Sequence, residues 1–204
     1  MKRIIITAAE LPDSGELLVP YDAVFTPLAR DEAVRRGITI KEVAESDATR
    51  VFPADKIVAI AADRGGYALK EQLKPLLEQL GLVAEDFGTF EEKPVDYPDM
   101  ALLVAEAVAS GRAARGIVVD GAGIGSSMAA NKVPGVRAAL CYDKASARNS
   151  REHNNANVLT LGGRLLSAET ALETAATWLT TPFGGGRHQK RVDKITAIER
   201  RFSK

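Results

Sequence analysis

One cysteine, Cys141, stands in 204 residues, so no disulfide can close within the chain, and a reducing, cytoplasmic compartment fits. Net charge is missing too. The 27 basic residues balance 27 acidic ones, which removes the electrostatic case for a nucleic-acid or anionic-membrane partner. No apolar run approaches the roughly 20 residues of a membrane-spanning helix. The opening MKRIIITAAELPDSGE is basic and then briefly apolar before acidic residues follow, so a strand is expected there rather than a signal peptide. Histidine is scarce: only His153 and His188 occur, and no carboxylate–histidine cluster has metal-ligand spacing, so no metal is expected.

What is present is a core-forming chain. A hydrophobic fraction of 46% and this length suit one ordinary domain with a small appendage. The text changes character near residue 55, which divides it into an extension, 1–55, and a main domain, 56–204. From Lys56 onward short apolar runs alternate with helical patterns. KIVAIAA, LVAEDFG, RGIVVD, VRAALCY and NVLTLGG read as buried strands. YALKEQLKPLLEQLG carries Leu69, Leu73, Leu76, Leu77 and Leu80 at helical spacing, and MALLVAEAVASG and AETALETAATWL are further helices. This alternation predicts a doubly wound α/β fold with a mainly parallel sheet. The extension is expected to be a small α/β module. IIIT and ITIKEV are its candidate strands. TPLARDEAVRRG is its helix, with Thr26 as cap, Pro27 in the first turn and Gly37 as stop, and SDATRVFPADK serves as linker.

Ligands of doubly wound sheets bind outside the carboxyl ends of strands, so the loops there hold the candidate chemistry. AADRGGY offers Asp63 for sugar hydroxyls, Arg64 for an anion, and two glycines that let backbone approach a ligand; a plain turn with a solvated ion pair is the simpler reading. DGAGIGSS places Asp120 before Gly121, Gly123 and Gly125. The glycine amides could stabilise negative charge on a carbonyl oxygen while Asp120 removes a neighbouring proton, or Asp120 could merely cap those amides. Spacing leaves the two even. SREHNNANVLTLGGR sets His153 among asparagines, which suits a proton shuttle. TPFGGGRHQKRVDKI concentrates positive charge fit for a phosphate, or forms a basic surface helix.

Together DYP (96–98), GIVVDGAGIGSSMAANKVPGVRAALCYD, SREHNNANVLTLGGR and WLTTPFGGGRHQKRVDKI resemble the type B ribose-5-phosphate isomerases and the related galactose-6-phosphate isomerase subunits, over residues 56 to about 200. The resemblance implies a Rossmann-like fold, a homodimer or dimer of dimers with active sites between subunits, a phosphorylated sugar as substrate, no cofactor, and aldose–ketose isomerisation through an enediolate. It implies that His153 opens the sugar ring and that Asn154 contacts substrate. It further implies that Gly121 to Gly125 hold the enediolate oxygen, that Arg164, Arg187 and Arg191 bind phosphate, and that Asp63 and Tyr97 line the pocket. Three positions depart from the family pattern. Asp120 stands where the family has its cysteine base, Ala122 replaces a threonine, and Arg64 replaces a histidine. Cys141 matches a non-catalytic position, and Ser126 stands where some members carry a glutamate base. These departures keep a second class open, a sugar-phosphate-binding regulatory or scaffold protein without turnover. VPYDAVFTPLARDEAVRRGITI resembles short segments attached to bacterial microcompartment enzymes, which implies association with such a compartment; an added oligomer contact is the simpler expectation.

Overall fold

The computed structural model describes residues 5–8, 11–12, 15–21, 23–43 and 54–203, and the chain divides into two compact units, 1–53 and 54–204. In the first unit β1 (Ile5–Ile6) pairs in parallel with β3 (Val24–Phe25), and β2 (Glu16–Pro20) with β4 (Thr39–Val43). Between β3 and β4 runs α1 (Pro27–Arg35), where the Thr26 side chain accepts a 3.2 Å hydrogen bond from the Ala29 amide and Pro27 occupies the first turn. Ile6, Leu11, Leu17, Val19, Ala29, Ala33 and Ile38 form its own small core. The sequence reading anticipates β1, α1 and β4 and overlooks β2 and β3. Most of the expected linker lies outside the described residues; its last three, Ala54–Lys56, make one 3-10 turn.

The second unit alternates strand and helix throughout: β5 (Ile57–Ala62), α2 (Tyr67–Gln79), β6 (Val83–Asp86), α3 (Tyr97–Ala109), β7 (Arg115–Asp120), α4 (Ile124–Ala130), β8 (Ala138–Leu140), α5 (Lys144–Asn154), β9 (Val158–Gly162), α6 (Ala168–Thr180) and, after a 3-10 turn at Gly186–His188, α7 (Gln189–Phe202). The sheet order is β6-β5-β7-β9-β8, every pair parallel. Alternation along the strands sends side chains to both faces. Val58, Ile60, Ile117 and Val119 pack with Leu69, Leu73 and Leu77 of α2 and Ala171, Ala175 and Trp178 of α6. Ala59, Ala61 and Val118 pack with Ala101, Val104, Ala105 and Val108 of α3. A sheet buried on both faces needs the continuous apolar runs that the sequence shows.

A charged group is sunk in this packing. Lys70 on α2 is fully buried, and its ammonium lies 2.6 and 2.8 Å from the two Asp86 oxygens at the end of β6. Lys74 also reaches Asp86, at 2.7 Å. The chain leaves β5 for β6 on one side and returns to β7 on the other, so the order reverses between β5 and β7. That switch point opens a crevice beyond the strand ends.

Candidate active site

The crevice is built by three strand-end loops tied to one another through backbone. The Asp63 amide donates to Val119 O at 3.1 Å, the Gly163 amide to Asp120 O at 2.7 Å, and the Arg164 amide to Gly121 O at 3.0 Å. Two carboxylates face this junction. Asp63, half-buried at the end of β5, accepts the Gly66 amide at 2.9 Å. Burial pushes the Asp63 carboxyl above its ordinary value; the Gly66 amide opposes this, and the nearby Asp120 charge adds to it.

Asp120, the last residue of β7, is only 4% exposed. Its Oδ1 accepts the amides of Ala122 (2.7 Å) and Gly123, and its Oδ2 accepts the Ser126 amide (3.0 Å) and the Ser126 hydroxyl (2.5 Å). Four donors on one carboxylate fold the glycine loop around it. The capping role that sequence spacing left open is therefore present. Three loop amides serve Asp120 rather than a ligand, and Ile124 and Gly125 open α4, where first-turn amides have no acceptor within the helix. The glycines fit close quarters. Gly123 has φ +78°, a backbone that L side chains rarely adopt, and a Cβ on Gly125 would fall 2.4 Å from the Tyr97 ring. Tyr97, exposed at the start of α3, thus lies against the loop. Tyr142 braces the other side, donating its hydroxyl to Ala122 O at 2.9 Å.

Arg164 joins this group, since its Cδ would lie 3.6 Å from a Cβ on Gly121. Arg64 is exposed beside Asp63. Cys141 takes no part: it is buried at the end of β8, 3.8 Å from Ser150 Oγ, and burial pushes its thiol up, which weakens it as a nucleophile.

His153, Asn154, Arg187 and Arg191 lie elsewhere. β7 and β9 run in parallel register from Gly116↔Val158 to Asp120↔Gly162. Asp120 closes that ladder at its carboxyl end, whereas His153 sits in the last turn of α5, before β9 begins. The four residue steps of the ladder alone span about 13 Å. The His153 ring stacks on His188, centroids 4.2 Å apart and planes 7° from parallel, and the Gly184 amide donates to Glu152 O at 2.9 Å. These contacts hold Arg187, and with it the start of α7 that carries Arg191, beside His153. Within one chain, Arg164 therefore lies apart from Arg187 and Arg191. Arg164 belongs with Asp63 and Asp120, and the other two belong with His153. Ser126 and Asn149, neither proposed from sequence for a role, are bound directly to site residues. The i, i+4 spacing of Asn149 and His153 on a helix was the signal available for the second.

The ribose/galactose isomerase family matches residues 58–195. Ribose-5-phosphate isomerase B of Escherichia coli is 43% identical over 146 residues, covering 72% of this chain and 98% of the relative. D-erythrulose-4-phosphate isomerase of Pectobacterium atrosepticum is 41% identical over 144 residues, covering 70% of this chain and 94% of the relative. The solved structure of Clostridium thermocellum ribose-5-phosphate isomerase B is 51% identical and superposes with a TM-score of 0.71, covering 72% of this chain and 99% of that one.

Proposed function

This chain belongs to the ribose/galactose isomerase family, and on that premise we propose that it interconverts an aldose phosphate and its ketose through an enediolate, with Asp120 carrying the proton between C1 and C2. The coarse activity, sugar-phosphate isomerisation, agrees with every relative named above. The observation that carries the finer reading is the convergence of Asp63, Asp120 and Arg164 on the crevice at the sheet's switch point. The Ile124 and Gly125 amides stabilise the enediolate oxygen. Asp120 is pre-oriented by its four donors and yields one of them as the sugar enters. A working isomerase washes solvent deuterium into C1 or C2 of ribose 5-phosphate or a tetrose or hexose analogue. A chain that binds these sugars without exchanging that hydrogen is a binding protein.

The four donors on Asp120 favour a second reading, in which Asp120 only locks the loop and Asp63, with fewer partners and a raised proton affinity, moves the proton. Asp63→Asn separates the two. A pocket residue costs KM, and a base costs kcat by about 10²–10⁴-fold.

One chain does not close the site. His153, which opens the sugar ring, and Arg187 and Arg191, which hold the phosphate, come from a second copy whose opposite sheet edge meets the Asp120 crevice. Homodimerisation is thereby part of the proposal, and a dimer of dimers satisfies it equally. Arg64 supplies a further positive charge in the crevice. Arg64→Ala is expected to raise KM several-fold and to leave kcat within about twofold, because an anchor remote from the reacting carbons binds ground and transition states alike. Steady-state kinetics check this; an unchanged KM places Arg64 outside the phosphate pocket.

Residues 1–55 are proposed to be dispensable for this chemistry, since every catalytic and phosphate-binding group assigned above lies beyond Asp55. Deletion of residues 1–55 is expected to leave a folded isomerase with kcat within about twofold, since the second unit has its own core. A soluble, folded but inactive truncation would show that the extension completes the site. Association with a microcompartment is a separate proposal that rests only on the TPLARDEAVRRGI segment.

A further inference from the structure

The last turns of α5 hold a short relay of amides that ends on His153. The Asn149 side-chain nitrogen lies 2.9 Å from His153 Nδ1. An amide nitrogen only donates, so Nδ1 accepts, and the proton of the neutral imidazole resides on Nε2. A neighbouring amide agrees with this orientation of Asn149. Asn154 Nδ2 lies 3.4 Å from both the side-chain and the backbone oxygen of Asn149. Turning Asn149 over would bring two NH2 groups face to face. Stacking on His188 holds the plane of the ring, and the His153 side chain remains 36% exposed. Nε2 then carries the hydrogen, and the acidic atom near it, Glu152 Oε1, is 3.8 Å away, beyond a hydrogen bond.

We propose that Asn149 is a positioning residue that holds His153 as its Nε2–H tautomer, so that a sugar's ring oxygen always meets a donor. The inference rests on the reading above that His153 assists ring opening. In that step the bond from C1 to the ring oxygen breaks and the C1 carbonyl forms from the anomeric hydroxyl. The hydroxyl proton passes through solvent water to the former ring oxygen. The Nε2–H hydrogen bond steadies the negative charge that develops there, and His153 ends as it began.

Chemistry supplies a selective probe. An aldopentose 5-phosphate keeps a free 4-hydroxyl and closes to a furanose. A tetrose 4-phosphate has that oxygen esterified, stays open, and skips the step. Asn149→Leu removes the donor, and Asn149→Asp substitutes a near-isosteric group that only accepts and so draws the proton onto Nδ1. We expect both to lower kcat/KM for ribose 5-phosphate by roughly tenfold, the worth of one net hydrogen bond, with Asp the more damaging, and to leave tetrose 4-phosphate turnover within about twofold. Imidazole 15N NMR reads the tautomer without turnover, the His153 signals being assigned from their loss in His153→Ala. Wild type should show a bare Nδ1 and a protonated Nε2, Asn149→Leu a mixture, and Asn149→Asp the reverse tautomer.

A wild-type spectrum with Nδ1 protonated, or Asn149 variants that lower both sugars equally, overturns the proposal. His153→Ala tests the underlying reading separately. If it affects the two sugars alike, ring opening is not its task. If it separates them while the Asn149 variants do not, only the role of Asn149 falls.

Discussion

Asp120→Asn is expected to lower kcat by about 10²–10⁴-fold, the usual worth of a general base, and to abolish exchange of the C2 hydrogen with solvent. The substitution conserves shape, yet it changes the hydrogen-bond ledger. Both carboxylate oxygens accept, from Ala122 and Gly123 on one side and Ser126 on the other. An asparagine must set its NH2 against one of those donor pairs, so the loop loosens as the base is lost. Substrate binding distinguishes the two effects. Loss of the base alone leaves ribose 5-phosphate affinity near wild type, whereas a displaced loop weakens it. The same measurements on Asp63→Asn assign the proton transfer, since only one of the two carboxylates can lose kcat with binding intact. An Asp120→Asn enzyme within a few-fold of wild type would end its assignment as base.

Mixing two chains each inactive on ribose 5-phosphate, Asp120→Asn and His153→Ala, is expected to restore activity on that sugar. In the symmetric dimer proposed above, each site would take its crevice from one copy and its His153 edge from the other. A heterodimer of the two variants then has one doubly defective site and one fully wild-type site. Random exchange makes about half of the dimers mixed, so about a quarter of wild-type turnover returns. Recovery should follow subunit exchange, measured as mass-resolved heterodimer, and each variant alone should stay near background. Confirmed heterodimers without activity would place both halves of the site some other way.

Much of the main domain was legible because each element announces itself. Leu69, Leu73, Leu76 and Leu77 mark α2, and the β-branched runs before Asp63 and Asp120 mark buried strands. The order of those strands was not legible, since nothing in a parallel strand names its neighbour. For the same reason the crevice could be placed at strand ends, but its membership could not. The separation of His153 from Asp120 is partly readable in retrospect. A helix that ends just before a parallel strand ends at the amino edge of the sheet, opposite a residue that terminates a strand. The four donors on Asp120 were beyond the sequence, because they depend on how the loop from Ala122 to Ser126 turns back. Of the extension's strands, β3 escaped because Val24 and Phe25 alone carry too little pattern to separate strand from loop, and β2 because Leu17, Leu18 and Val19 run on without alternation before Pro20.

The buried Lys70 and its partner Asp86 also set a direction for acid. Burial opposes ionisation of Asp86, and hydrogen bonds from Lys70 and Lys74 outweigh it, so its carboxyl lies below the ordinary carboxylate range. A carboxyl depressed by folding lends stability that is complete above its unfolded value and fades as pH falls through the folded one. Asp63 works in the opposite sense. Its folded value is raised, so ionising it at neutral pH strains the folded state, and that strain is relieved as pH falls through the raised value. Mild acid should therefore relax the crevice before stronger acid loosens the junction of α2 with β6, and the protein's pH–stability curve carries the two carboxylates as opposed proton linkages.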